Sequence, residues 1–156
     1  MTFLISGGSW DSRPWAAISI CLLFHPMKAL PVVEYNKITY FVDEHAGEIH
    51  RTDDPQTVVR LPRLKMQEIP YDADGSKYRF RPSTVKPFVY TSGAGILYGP
   101  HVIRACQLIL QRLAEEHDGL DYLQVFEDQS GLRSEPLWFI DDGDGGAITA
   151  LLPSDY

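Results

Sequence analysis

Cysteine is nearly missing from this chain of 156 residues, which holds only Cys21 and Cys106. Two cysteines cannot build a disulfide framework, and no Cys/His spacing here suits a structural zinc. Long apolar runs are missing as well. The most apolar stretch, Trp15-Ala-Ala-Ile-Ser-Ile-Cys-Leu-Leu-Phe24, has ten residues, about half of the 20 or so that a membrane span requires. Positive charge is in deficit, with 14 Lys and Arg against 21 Asp and Glu. That balance argues against nonspecific binding to nucleic acid or to an anionic membrane. What remains, 44% hydrophobic and 12% aromatic residues, is ample core material for one globular domain.

The composition changes abruptly near Met27. Residues 1–26 carry only two charges, Asp11 and Arg13, and hold Trp10 and Trp15. The segment before the apolar run is not basic, and no small-residue cleavage pattern follows it, so the pattern of an export signal is incomplete. Two readings stay open. Residues 1–26 are an N-terminal extension whose apolar stretch docks on the domain, or Met27 is the native start. The domain expected in either case is a single α+β unit over 27–156, in the cytoplasm and without a membrane span.

From Pro31 the apolar residues alternate with a period of two. Val32–Tyr35 and Ile38–Val42 flank Asn36-Lys37, a two-residue turn, and Ala46-Gly47 is read as a second tight turn into Glu48–Arg51. This three-stranded meander puts Val33, Tyr35, Ile38, Tyr40, Val42 and Ile49 on one core face. Short strands are expected at 57–61, 64–69, 78–80 and 85–91, limited by prolines at 62, 70, 82 and 87, with a turn at 72–76. One amphipathic helix is predicted from His101 to His117. Pro100 opens it, Gly119 closes it, and Val102, Cys106, Ile109 and Leu113 form its stripe. Strand patterns return at 120–126, 137–140 and 147–152, the last two read as a buried hairpin around Asp141–Gly146. The expected fold class is α+β: a mostly antiparallel sheet, beginning with the meander, packed on one principal helix.

Charge is distributed unevenly. Residues 60–86 carry seven basic groups against three acidic ones, whereas residues 115–156 carry eleven acidic groups and a single basic one, Arg133. The alternation in Lys77-Tyr78-Arg79-Phe80-Arg81 sends both aromatics to one face and the cations to the other, which suits a core-facing strand better than a base-stacking platform.

Sites of chemistry are weakly marked. With a two-residue turn at 46–47, Asp43, His45, Glu48 and His50 share the face opposite the core, a candidate metal or acid/base patch. The loop Asp141-Asp142-Gly143-Asp144 lacks the bidentate glutamate of an EF-hand. Tyr90–Gly95 lacks the Lys-Ser/Thr ending of a phosphate loop, and Ser92 is not in a nucleophile elbow. Cys106 on the apolar stripe reads as an inert buried thiol.

Two functions compete. The first is a small acidic, non-catalytic binding module: an inhibitor, regulator or accessory protein. It would meet a basic protein partner, one that itself binds nucleic acid, through Glu127, Asp128, Asp141, Asp142 and Asp144, and would need no cofactor. The second is a small metal-dependent hydrolase or nuclease using the 43/45/48/50 patch or the 141/142/144 loop.

Overall fold

A computed structural model describes residues 30–65, 79–83 and 85–156. The N-terminal segment 1–26 with its apolar run and Cys21, the strand continuation 66–69, the turn at 72–76 and Lys77-Tyr78 lie outside the described residues. The fold is α+β; the described residues form two principal sheets, a two-stranded ribbon and two α-helices.

The first sheet is the meander extended by one strand: β1 (Val32–Tyr35), β2 (Ile38–Asp43), β3 (Glu48–Arg51) and β4 (Val58–Arg60), antiparallel and in sequence order. Asn36 and Lys37 both take positive φ, 52° and 63°, as a type I′ turn demands. They set the register Tyr35↔Ile38 and Val33↔Tyr40. The second turn differs from the sequence reading. Asp43 pairs with Glu48 and Val42 with Ile49, so the loop is Glu44–Gly47, four residues rather than two. The Asp43 carboxylate accepts the Ala46 N–H at 2.9 Å, which closes a wider turn. The shift is two residues, an even number, so the core face survives intact: Val33, Tyr40, Val42 and Ile49 are buried.

The second sheet has the order β5 (Arg63–Leu64), β9 (Leu123–Glu127), β10 (Leu137–Asp141), β11 (Ile148–Leu151) and β7 (Phe88–Tyr90). All its pairings are antiparallel except β11 with β7, which is parallel. A separate short ribbon is formed by β6 (Arg79–Phe80) and β8 (Leu120–Asp121). The expected strand at 120–126 is therefore two strands, divided at Tyr122.

The principal helix α2 (Pro100–Glu116) is preceded by a shorter α1 (Ser92–Tyr98). The sequence pattern marks no helix before Pro100, and Gly93 and Gly95 weaken helix propensity in this segment. Thr91 supplies what the composition lacks: its hydroxyl accepts the Ala94 N–H as an N-cap. Gly99, at φ 79°, ends α1 and starts α2, a backbone region open to glycine without penalty. At about 100° per residue, the buried positions Val102, Ile103, Ala105, Cys106, Ile109, Leu110 and Ala114 cover about half the circumference of α2. One continuous core joins them to Val33, Tyr40, Val42 and Ile49 of the first sheet and to Phe126, Leu137, Phe139, Ile148 and Ala150 of the second. No helix among the described residues is long and apolar enough to cross a membrane.

Candidate functional site

Strand alternation sorts the second sheet into two faces. Leu137, Phe139 and Asp141 point inward with their partners Phe126, Gln124, Ala150 and Ile148. The opposite face carries Trp138 between Val125 and Leu151, then Ile140 between Leu123 and Thr149, with Val89 beyond Thr149. Partners directly across antiparallel strands lie about 4.5–5.5 Å apart at Cβ, so these side chains form one apolar patch. Leu151 is buried at 6% exposure, whereas Leu123, Val125, Trp138 and Ile140 are half-buried and lie outside the core cluster. Trp138 is half-buried and Val89 is 47% exposed. Tyr156 meets the Trp138 ring edge-on, with centroids 6.3 Å apart. In the hairpin that the sequence marks as buried, Leu137 and Phe139 are in the core, whereas Trp138 and Ile140 are only half-buried.

The five carboxylates expected on one surface part company. Asp141 is buried at 5% exposure. Its Oδ1 accepts from Lys86 Nζ at 2.7 Å and from the Gly143 N–H, and its Oδ2 accepts the Arg81 N–H at 2.8 Å. Asp128 also turns inward. It accepts from the Ser130 hydroxyl, from the Leu132 and Arg133 N–H groups, and from the Arg133 guanidinium at 3.0 Å. Burial alone would raise its carboxyl, but the hydrogen bond from Ser130 and the Arg133 contacts outweigh it and hold the group below the usual carboxylate range. Both residues are structural anchors, a correction to the expectation that they face a partner. Glu127 lies 3.1 Å from Lys65 Nζ on the solvent side. Asp142 and Asp144 are exposed on the β10–β11 turn, at the end of the strand that carries Trp138 and Ile140.

Arg133 is fixed by more than Asp128. Its guanidinium stacks 4.8 Å above the Tyr98 ring and reaches the Arg60 carbonyl at 3.3 Å. The Tyr98 hydroxyl donates to the Glu135 carbonyl at 2.6 Å. Burial pushes that phenol up to about 12 against the opposing pull of Arg133.

The Asp43, His45, Glu48 and His50 patch does not converge. Asp43 is committed to the Ala46 N–H, His50 Nε2 lies 3.6 Å from Glu48, and His45 is in the exposed loop. The four-residue turn separates groups that a two-residue turn would have set side by side. Asp43 and His45 instead line an open depression of about 570 Å³ with Leu30, Pro31 and Glu44, the last paired with Arg112. Among the described residues no group of three or more His, Cys, Asp or Glu side chains is placed to hold a metal ion. Cys106 is fully buried, and burial pushes its thiol up strongly.

No family model, curated protein or solved structure matches this chain.

Proposed function

We propose that this domain is a non-catalytic binding module, acting as an inhibitor, regulator or accessory protein, whose contact surface is the outer face of the second sheet. The observation that carries the reading is the apolar patch around Trp138, outside the core and ending at the exposed Asp142 and Asp144. A large aromatic among aliphatic side chains with a charged rim has the anatomy of an interaction hot spot. The rim is acidic, so a basic protein partner, including one whose cationic surface otherwise holds nucleic acid, is the complementary class. The contribution of the acidic region is smaller than the eleven carboxylates of residues 115–156 suggest by number, because Asp128 and Asp141 are neutralised by the chain itself. The reading includes a cytoplasmic site of action and no cofactor.

Affinity purification with three baits tests it: the unaltered chain, Trp138→Ala, and the pair Asp142→Lys with Asp144→Lys. A partner retained by the first and lost by both variants supports the reading, and the charge-reversal loss should shrink as salt rises. Identical capture by all three baits defeats it.

A further inference from the structure

The outer face of the first sheet carries a row of three apolar side chains and one imidazole. Val32 pairs with Phe41, Phe41 with His50, and His50 with Val58, one residue from each strand. Val32 is 47% exposed, Phe41 41% and Val58 42%; Leu30, two residues before Val32, is 52% exposed. Polar rows flank it, with Glu34 and Thr39 on one side and Asp43, Glu48 and Arg60 on the other. At about 4.8 Å between strands, the row is about 14 Å long.

From this geometry we infer that the row is the seat of this chain's own apolar segment, Trp15–Phe24. The described chain begins at Leu30, beside the β1 end of the row, and Val42 donates its N–H to the Pro31 carbonyl there. Five residues, His25–Ala29, separate Phe24 from Leu30. Such a tether spans up to about 20 Å, enough to reach every strand of the row. Ten residues span about 15 Å as a helix and about 33 Å as a strand, so either form is long enough to cover the row. Residues 15–24 contain no charge, so seating them on the row removes apolar surface of both from water. This inference is independent of the binding role proposed for the patch around Trp138.

The full chain supplies its own probe, since Cys21 lies inside the segment and Cys106 is fully buried. Reaction of Cys21 with a thiol reagent should be slower in the native chain than in urea by about tenfold or more. Phe41→Glu or Val58→Glu, both at exposed positions, should restore the fast rate with unchanged circular dichroism. His50→Cys should form an intrachain disulfide with Cys21 on mild oxidation. Cys21 reacting natively at the unfolded rate overturns the proposal. Protection that survives both glutamate variants overturns it as well, and so does a disulfide-linked dimer of His50→Cys, which would make a second copy the occupant.

Discussion

Lys86 and Asp141 are 55 positions apart in sequence, yet Lys86 Nζ lies 2.7 Å from Asp141 Oδ1, with the carboxylate side chain 1% exposed. The pair ties the segment leading into β7 to the centre of the second sheet. Asp142, the next residue, is exposed. Adjacent carboxylates thus have opposite fates, and substitution separates them. Asp141→Ala strands a buried ammonium and two backbone N–H groups, and should cost about 3 kcal/mol or more. Asp142→Ala should leave the urea midpoint unchanged. Equal midpoints for the two variants would contradict the assignment of Asp141 as an anchor.

Acid should destabilise the fold in two steps. His101 stacks on Tyr40 at 5.2 Å; burial, then the nearby Arg133, hold its pKa below the ordinary 6.5. The unfolded chain therefore binds a proton there that the folded chain resists. The contribution of His101 is complete above about 6.5 and is lost as pH falls through its lower folded value. Asp128, also lowered in the fold, contributes above its ordinary 3.8 and loses that contribution as pH falls further. Urea midpoints measured from pH 3 to 8 should rise with pH across both windows. His101→Phe should flatten the upper one and Asp128→Asn the lower.

Gly99 allows a test of the junction between the helices. A Cβ at this position would lie 2.7 Å from His101 Cε1, on a backbone at φ 79°. Gly99→Ala should destabilise by about 1–3 kcal/mol from the backbone alone, with the His101 clash added. Combining it with His101→Ala should relieve the clash but leave the backbone cost, a non-additivity that a double-mutant cycle measures.

In a Cys21→Ser background, Cys106 should be silent toward thiol reagents under native conditions. Its reaction rate should follow global unfolding, because it is fully buried and burial raises its thiol pKa. Fast labelling at low denaturant would show that α2 opens locally.

The sequence disclosed the parts of the fold that obey local rules. Asn36-Lys37 specified the first register because that turn admits few conformations, and the wide apolar stripe of 102–114 disclosed α2. The second turn was misjudged because a side-chain acceptor, Asp43, sets its length, and alternation tolerates any even shift. Helix α1 was invisible for a tertiary reason. Its start is held by the Thr91 hydroxyl, which in turn donates to the Asp155 carboxylate from the far end of the chain. The candidate site was harder still. Counting charges cannot reveal that Asp128 and Asp141 have internal cations, and Leu137-Trp138-Phe139-Ile140 is apolar on both faces, so nothing marks which residues look outward.

Because α2 and the two sheets contribute to a single core, neither half of the chain owns an interior. A fragment ending near residue 65 would carry Val33, Tyr40, Val42 and Ile49 into water, and the complementary fragment would bare the matching side of the helix. Each piece made alone should be poorly soluble, whereas co-expression should let them reassemble, much as a split reporter does. Melting, correspondingly, should be one event rather than two.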